Sequence, residues 1–371
     1  MAKAAVIPTD LVLADLERLS YDEVAAKYNT SRGAVYRLAV AARRRKHEAR
    51  IRERGAEREK RQREFLELVL NASEKADVLD FLDGIPSNSV ALHCTSIPYN
   101  VGKAYGGLDT DARPFHYYLG WLLMVLSEME RTLAPGGVLF LQVGSTIDPH
   151  GQLYPLDVLL FEHLRGMGLS FQSRVAWIIP HGLTPKRRLA ERYETALVMS
   201  KGEPTTFNAN AARIPQKQPG KRAFKGPHKG MLSGHPLGAW PTNVWAIANC
   251  GHNRDSADGH PAPFPLEIPR RAILLYTMPG QLVVDAFSGR GTTLEAAKQL
   301  GRDFTGADLF YEDVRAKRLA AVAPDLVCAL PGVTDESIAV WQAEAVPVRH
   351  AATPISMDEN DRLLKTIPLF P

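Results

Sequence analysis

The residues best suited to chemistry form the short run Ser96-Ile97-Pro98-Tyr99, which follows the apolar segment 89–95. Such a segment predicts a strand, and a proline turn after it brings the next side chains to the carboxyl edge of a sheet. The Ser96 hydroxyl and the Ile97 carbonyl can each accept one N–H of an exocyclic amine, and the Tyr99 ring offers a stacking face. The run suits a planar heterocycle whose amine is held against an electrophile. A strand end with a proline turn and no ligand is the alternative interpretation.

A second segment, 283–293, has the pattern of an apolar strand, a Gly-x-Gly turn and the start of a helix. Gly289 and Gly291 would let backbone N–H groups approach a ligand closely. Leu294 stands where a dinucleotide fingerprint carries its third glycine, which disfavours a nicotinamide cofactor. Asp308, at the end of the next strand-like run, can accept both hydroxyls of a ribose. The segment therefore predicts a nucleoside ligand without identifying it.

Together the two segments resemble the β-class DNA amino-methyltransferases, which transfer a methyl group from S-adenosylmethionine to cytosine N4 or adenine N6. Residues 96–99 are similar to their catalytic (Asp/Asn/Ser)-Pro-Pro-(Tyr/Phe) tetrapeptide, and Asp285-x-Phe287-x-Gly289-x-Gly291 is similar to their cofactor loop. The order, with the tetrapeptide first and a long insert before the cofactor loop, is that of the β class. Ile97 replaces the usual first proline, and its carbonyl is still available as an acceptor.

The resemblance implies a Rossmann-like α/β fold with a doubly wound, mostly parallel sheet that includes an antiparallel strand. It implies that the catalytic residues are Ser96, Ile97, Pro98 and Tyr99, which would act on a base flipped out of double-stranded DNA. The implied S-adenosylmethionine site consists of Asp77, Pro265, Asp285, Phe287, Ser288, Gly289, Gly291, Thr292 and Asp308. In the family an acid at the position of Asp77 receives the adenine amino group, and helix capping is the alternative role.

The chemistry that follows needs no metal and no covalent intermediate. Accepting both amine hydrogens at Ser96 Oγ and Ile97 O would free the nitrogen lone pair for attack on a sulfonium methyl group. Because serine rather than aspartate opens the tetrapeptide, the prediction is N4-cytosine methylation, with N6-adenine methylation as the alternative. A non-catalytic DNA-binding regulator on a methyltransferase-like scaffold, and RNA as the substrate, are the remaining interpretations.

Composition limits the class of protein and the compartment in which we expect it. The 371 residues, 45% of them hydrophobic, are typical of a soluble protein with one large α/β domain and appendages. No apolar run is long enough to span a bilayer and residues 1–10 lack signal-peptide organisation, so we expect a cytoplasmic protein. Cys94, Cys250 and Cys328 are too few and too scattered for a disulfide framework or a zinc site, and none follows a proline as in cytosine-C5 methyltransferases.

Residues 1–42 predict a small all-α module. Apolar residues have helical spacing over 10–19, and Ser20 with Glu23 forms a capping box for a second helix over 21–28. Ser31 can cap a third helix. The segment 23–38 looks like helix-turn-helix DNA-binding modules, and its groove-facing candidates are Arg32, Tyr36 and Arg37. A helical bundle used for dimerisation is the alternative.

Residues 43–75 predict a charged helical linker, because oppositely charged residues recur at i and i+4. Residues 76–325 would then form the methyltransferase domain, and 326–371 a tail without a readable motif. The pattern in the domain predicts helices over 115–133, 154–167 and 309–323, and strands over 138–143, 171–179 and 195–200. The last two strands should form an antiparallel hairpin.

Within this domain, residues 204–260 predict a target-recognition insert. No aspartate or glutamate occurs from 204 to 254, so a polyanion would relieve the repulsion among its cations. A flexible surface excursion is the alternative. The candidate DNA contacts are Arg187 and Arg188 beside the base pocket, and Arg213, Lys217, Lys221, Arg222 and Lys225 in the insert. The sequence also leaves open a homodimer and a companion restriction endonuclease.

Overall fold

The computed structural model describes residues 14–16, 18–106, 111–148, 150–179, 186, 189–235, 238–250, 260 and 262–323. Two units divide the chain, one formed by 1–68 with 83–86 and the other by 69–82 with 87–371. The predicted tail 326–371, Arg187 and Arg188 lie outside the described residues, as does half of the predicted helix over 10–19.

The helices are α1 (Tyr21–Lys27), α2 (Arg32–Val69), α3 (Val78–Gly84), α4 (Phe115–Thr132), α5 (Leu156–Gly166), α6 (Glu267–Tyr276), α7 (Thr292–Gln299) and α8 (Glu312–Ala320). The strands are β1 (Ala72–Glu74), β2 (Val90–Ser96), β3 (Leu133–Val143), β4 (Ser145–Ile147), β5 (Leu153–Pro155), β6 (Ser170–Ile178), β7 (Tyr193–Ser200), β8 (Val244–Ala246), β9 (Leu282–Asp285) and β10 (Asp303–Ala307). These bounds confirm the predicted helices over 115–133, 154–167 and 309–323 and the predicted strands over 171–179 and 195–200 to within about three residues at each end. Strand β3 begins five residues before the predicted strand over 138–143. The segment 43–75 is not helical throughout, because α2 ends at Val69 and β1 joins the sheet beside β10.

The N-terminal unit begins with the predicted capping box. The Ser20 side chain accepts the Glu23 amide, and the Glu23 carboxylate accepts the Ser20 amide at 2.7 Å. Asn29, at φ 48°, turns the chain between α1 and α2. Val24, Ala25 and Val35 form a small apolar core there. Helix α2 then runs without a break across residues 42 and 43, because the change from apolar to charged side chains does not interrupt its backbone hydrogen bonds.

The second unit contains an eight-stranded sheet in the order β1-β10-β9-β2-β3-β7-β6-β8. Strand β7 is antiparallel to both β3 and β6, and the other neighbours are parallel. The doubly wound, mostly parallel sheet and its antiparallel hairpin are therefore confirmed. Helix α4 covers the sheet with Leu122, Val125 and Met129, whose spacing places them on one helical face.

Strands β2 and β9 are direct neighbours in this sheet, with Leu92 paired to Val283 and His93 to Val284. Because the two strands are parallel, the loops that follow them leave the sheet at the same edge. The tetrapeptide follows β2 and the glycine loop follows β9. The topology thus brings together two segments that are far apart in sequence.

The insert contributes more to the core than its composition predicts. Strand β8 pairs with β6, and Trp245 in β8 stacks on Phe140 with ring centroids 5.6 Å apart. The Trp177 indole donates a hydrogen bond to Ile247 O at 2.8 Å. The composition of the insert, rich in cations, glycine and proline, predicts little core. Side chains of residues 213–235 fit this prediction and are mostly exposed. The part around β8 does not, because it packs in the hydrophobic core.

None of the helices in the described ranges has the length and apolar character needed to cross a bilayer. The same residues contain no group of three or more histidine, cysteine, aspartate or glutamate side chains arranged to hold a metal ion.

Candidate active site

A cavity of about 600 Å³ opens at the carboxyl edge of the sheet. It is lined on one side by residues 96–99 and on the other by residues 286–290 and 308–310. A volume of this size is within the range of small-molecule sites. One cavity therefore unites the tetrapeptide and the glycine loop.

The tetrapeptide is held by its surroundings. The Tyr118 hydroxyl, from α4, donates a hydrogen bond to Pro98 O at 2.8 Å. Just before the tetrapeptide, Thr95 Oγ1 donates to Asp285 Oδ1 at 2.6 Å, which joins the ends of β2 and β9. Ile97 is buried, so its apolar side chain anchors the loop at the position where a proline would restrict the backbone. The Ile97 carbonyl lies in the segment that lines the cavity.

A partly buried hydrogen-bond network holds the Tyr99 hydroxyl. The Tyr99 hydroxyl donates to Glu194 Oε2 at 3.1 Å, and Gln142 Nε2 donates to the same carboxylate oxygen. A side-chain carbon at Gly144 would lie 2.7 Å from the ring, so glycine is needed there for the ring to take its position. Gln142 is the penultimate residue of β3 and Glu194 the second residue of β7, and both line the cavity.

Burial sets the charge states of this network. Desolvation raises the pKa of the Glu194 carboxyl, and the hydrogen bonds from Tyr99 and Gln142 oppose the rise. Burial, and then the Glu194 charge, raises the pKa of Tyr99 well above its usual value, while hydrogen bonds with Ser96 and Gln142 act in the other direction. Tyr99 is therefore a neutral phenol at physiological pH.

The other side of the cavity is a glycine loop braced by Asp308. Asp308 Oδ2 accepts the Gly289 amide at 2.9 Å, and Oδ1 accepts the Phe310 amide at 2.9 Å. Gly289 has φ 47°, and a side chain there would meet His260 Nε2 at 2.6 Å. Gly291 has φ 86° at the start of α7. Positive φ values favour glycine at both positions and keep the cradle free of side chains.

Arg315, which the sequence analysis did not single out, is fully buried beneath this loop. It donates to Gly289 O at 2.9 Å and to Glu74 O at 3.0 Å, and also to Phe310 O. A buried guanidinium needs several acceptors, and these carbonyls supply them. Arg315 thus fixes the backbone on both sides of the cradle. No local pattern in α8 distinguishes it from the neighbouring exposed basic residues.

Asp77 and Asp285, both predicted to bind the cofactor, also accept hydrogen bonds from neighbouring protein groups. Asp77 Oδ1 accepts the Leu79 amide at 2.9 Å and caps α3, which is the alternative role named above, and the residue also lines the cavity. Asp285 is buried behind the lining and accepts Thr95 Oγ1 and the Phe287 amide. Burial raises the pKa of Asp285 to about 6, against hydrogen bonds from Thr293 and Thr95.

Most of the predicted site residues meet in the cavity. Its lining includes Asp77, Ser96, Ile97, Pro98, Tyr99, Phe287, Ser288, Gly289, Thr292 and Asp308. Asp285, Pro265 and Gly291 do not line it. Pro265 is buried, and its neighbours Pro263 and Phe264 provide that part of the wall because the chain turns into α6 there.

Further lining residues escaped the sequence analysis because they come from separate elements without a shared motif. They are Lys103, Tyr105, Arg113, Tyr118, Trp121, Gln142, Trp177, His260 and Phe310. The edge-on contact of Trp121 with Phe287, at 5.7 Å between centroids, connects α4 to the glycine loop.

The predicted DNA contacts in the insert do not line the cavity. Lys217, Lys221, Arg222 and Lys225 are exposed. Arg213 is half-buried and serves the insert itself, since its guanidinium donates to Asn210 Oδ1 at 2.8 Å and to Gly238 O at 2.9 Å. It also lies over the Trp240 ring at 5.4 Å.

In the N-terminal unit, Arg32 is exposed and forms an ion pair with Asp22 at 3.5 Å. Tyr36 and Arg37 lie in α2, four and five residues after it begins.

The sheet order, and the cavity that the tetrapeptide and the glycine loop share at its carboxyl edge, are those of an α/β methyltransferase. The model of the DNA methylase family of N6 and N4 methyltransferases matches residues 90–316, which include both halves of the cavity. The chain belongs to this family. It is a DNA methyltransferase of the N6/N4 amino-methyltransferase family, and its methyl donor is S-adenosylmethionine.

Named relatives agree with this assignment. The type II methyltransferase M.BglII of Bacillus subtilis is 38% identical over 245 residues, which are 66% of this chain and 67% of the relative. The DNA adenine methyltransferase YhdJ of Escherichia coli (strain K12) is 28% identical over 64% of this chain and 78% of its own length. The solved PvuII DNA methyltransferase (cytosine-N4-specific) has the same fold, with a TM-score of 0.52 and 22% identity over 73% of this chain and 91% of the other.

Proposed function

We propose that this protein is a site-specific DNA methyltransferase that modifies the N4 amine of cytosine. The observation that carries the proposal is Ser96, which opens the tetrapeptide and lines the same cavity as the glycine loop. A serine hydroxyl, unlike a carboxylate, carries no charge into the pocket and accepts one N–H hydrogen bond. Pro263-Phe264-Pro265, which resembles the corresponding element of N4-cytosine enzymes, supports the same choice.

The tetrapeptide positions the base. Ser96 Oγ and Ile97 O each accept one hydrogen of the exocyclic amine, which draws the nitrogen lone pair out of the ring. Tyr118 fixes the backbone at Pro98, so the two acceptors keep one arrangement. Because these dipoles are in place before the base enters, they cost little reorganisation during the reaction.

Tyr99 supplies the stacking surface for the flipped base. Its hydroxyl is held by Glu194, and its ring fills the space beside Gly144. The ring therefore has little freedom to rotate away when the pocket is empty. Glu194 and Gln142 act as positioning residues through Tyr99.

The residues of the other half fit the methyl donor. Asp308 and Asp77 line the cavity and supply carboxylate acceptors for hydroxyl and amino groups. Phe287 and Phe310 offer apolar surface, and the Gly289 cradle is one that a Cβ would fill. S-adenosylmethionine supplies an electrophilic methyl group on a sulfonium when bound. We propose that Pro265, Asp285, Ser288, Gly291 and Thr292 support this site, Asp285 and Gly291 from behind the lining.

The second candidate is N6-adenine methylation. It is favoured by the relative from Escherichia coli, which is named as a DNA adenine methyltransferase. The two amines are chemically similar, and residues 96–99 could hold either. The deciding measurement is mass spectrometry of the nucleosides from DNA incubated with the protein and labelled S-adenosylmethionine. We expect N4-methylcytosine, and N6-methyladenine without it would overturn the N4 proposal.

The remaining parts are assigned to DNA binding. We propose that the N-terminal helix-turn-helix-like module, through Arg32, Tyr36 and Arg37, and the insert, through Lys217, Lys221, Arg222 and Lys225, contact double-stranded DNA. Arg187 and Arg188 belong to the same proposal.

A companion restriction endonuclease is proposed because the relatives M.BglII and M.ScaI are named as type II methyltransferases. Single-molecule sequencing of DNA from cells that express the protein would report the modified base and its recognition sequence together. Cleavage at that sequence in unmodified DNA by the neighbouring gene product would confirm the companion. Sedimentation of the purified protein would decide whether it is a homodimer.

A further inference from the structure

Within the insert, residues 221–233 form a small hairpin, which we call the insert hairpin. The Ser233 amide donates to Lys221 O at 2.8 Å, and the Ala223 amide donates to Met231 O at 2.8 Å. A side chain adds a further tie, since Arg222 Nη1 donates to Gly230 O at 2.6 Å. These bonds hold the tip, residues 224–230, in a defined backbone arrangement that needs no contact with a ligand.

The insert hairpin exposes apolar side chains. Phe224 at the tip is 83% exposed, and Met231 and Leu232 are 58% and 62% exposed. None of the residues 221–233 lines the active-site cavity, so these side chains are not part of that site. A cluster of exposed apolar groups on a polar surface is characteristic of an interaction site.

The charges around Phe224 identify the partner. Lys221, Lys225 and Lys229 are exposed beside it, and the segment from 204 to 254 has no carboxylate to neutralise them. Cations select a polyanion, and a flat aromatic ring among them matches the π-face of a nucleobase. Duplex DNA combines both features, and it is the substrate of the family.

We propose that the insert hairpin is a DNA wedge, in which Phe224 lies against the base faces of the duplex while Lys221, Lys225 and Lys229 contact phosphates. Flipping a base leaves unstacked neighbours, and an apolar side chain that covers them lowers the cost of that step. The inference rests on the proposed function, which requires a flipped base, and adds the element that replaces the lost stacking.

The test measures binding of a fluorescein-labelled duplex that carries the recognition sequence found by sequencing. We expect Phe224→Ala to weaken binding about tenfold, Phe224→Leu to weaken it to a similar degree, and Phe224→Trp to retain affinity, because stacking needs a flat ring. The matched control is Phe171→Ala. Phe171 is also exposed, at 46%, but begins β6 at the opposite edge of the sheet from the cavity.

The salt dependence of DNA binding distinguishes the contribution of the Phe224 ring from that of the cations. Phe224→Ala should leave the slope of log K against log[salt] unchanged, whereas Lys225→Gln should reduce it by about 0.9, the value for one phosphate contact. Circular dichroism of each variant checks folding. The proposal is overturned if Phe224→Ala binds as tightly as the unmutated protein, or if only the oligomeric state changes on sedimentation, which would make the hairpin a contact between two copies.

A second duplex, with a mismatch at the target base, separates this proposal from the proposed function. A mismatched base is already partly unstacked, so methyl transfer by Phe224→Ala should recover on this DNA. Equal loss on matched and mismatched duplexes would overturn the wedge. Absence of transfer by the unmutated protein on any DNA would instead reject the proposed function, and the binding assay would then use a duplex of mixed sequence to report on Phe224.

Discussion

The cavity and the insert differ in how their side chains are buried and hydrogen-bonded. Side chains around the tetrapeptide are buried and hydrogen-bonded to groups from several strands and helices, as the contacts of Tyr99 and Tyr118 illustrate. In the insert, residues 213–233 are mostly exposed, and their hydrogen bonds stay within the segment. The cavity is thus formed by buried and partly buried groups, whereas the insert exposes cationic and aromatic side chains, which we propose contact DNA.

This difference corresponds to two tasks of a sequence-specific methyltransferase, which are chemistry on a base and recognition of the duplex. Chemistry on a base needs acceptors fixed in advance, because reorganisation adds to the barrier. Reading a duplex needs cations and rings that face the solvent until DNA arrives. Substitutions in the cavity should therefore change the rate of transfer, and substitutions in the insert should change affinity and its salt dependence.

The largest expected effect comes from the tetrapeptide. Ser96→Ala combined with Tyr99→Ala should lower methyl transfer by about three orders of magnitude or more, because both an amine acceptor and the stacking surface are lost. DNA binding should change little, since the phosphate contacts that we propose lie in the insert and the N-terminal module. Transfer of labelled methyl groups and fluorescence anisotropy measure the two properties. Ser170→Ala, at the far end of β6, is the control, and retained transfer in the double variant would contradict the proposed chemistry.

Asp285→Asn tests the electrostatic cost of the site. Burial raises the pKa of Asp285 to about 6 from 3.8, so between these values the folded protein keeps a proton that the unfolded chain has lost. Stability should then fall as pH rises through this window, with a total cost of about 3 kcal/mol above it.

The asparagine variant should consequently melt at a higher temperature than the unmutated protein at pH 7.5, with the difference disappearing near pH 4. Calorimetry without S-adenosylmethionine measures it, and exposed Asp80→Asn is the control. An equal difference at both pH values would show that the effect is not one of charge.

Substitution of Glu194 should lower activity less, and only through the interaction with the DNA base. Glu194→Ala should lower kcat/KM for DNA about tenfold and leave S-adenosylmethionine binding unchanged, because it releases the Tyr99 hydroxyl. Glu194→Gln keeps an acceptor and should recover most of the activity. Tyr99→Phe removes the same hydrogen bond, so its combination with Glu194→Ala should be less than additive. Additive losses would show that Glu194 acts independently of Tyr99.

The smallest effect is expected at Lys217 in the insert. Lys217→Gln should reduce the salt slope of DNA binding by about 0.9 with little change in kcat, because a phosphate contact contributes to affinity alone. Lys317→Gln in α8 is the matched control. A change in kcat without a change in slope would show that Lys217 contributes to the catalytic step. That result would contradict the distinction between the cavity and the insert.

Local patterns predicted much of the fold. The capping box at Ser20 and Glu23, the apolar stripe of α4 and the strands on either side of the cavity depend on residues close together in the chain. Backbone hydrogen bonds and amphipathic spacing are local, so they can be read directly. The same approach placed a segment boundary at residues 42 and 43, where α2 continues, because a change in charge is not a helix stop.

Contacts between distant segments could not be read in this way. Glu194 and Gln142 meet Tyr99 only because β7 lies antiparallel beside β3, with Gln142 opposite Ala196. Arg315 lies under the glycine loop because α8 packs against β1 and α7, and nothing in its own sequence context predicts burial. Trp245 joins the core through an edge strand of three residues.

The sequence by itself determined the two motifs, their order and the helices and strands that flank them, since each follows from residue types at short spacing. The tertiary structure decided that Ser96 and Gly289 border one cavity, that Glu194 holds Tyr99, and that Pro263 and Phe264 rather than Pro265 form the wall. The physical reason is the pairing of parallel β2 with β9, which places the ends of two distant segments at one edge of the sheet.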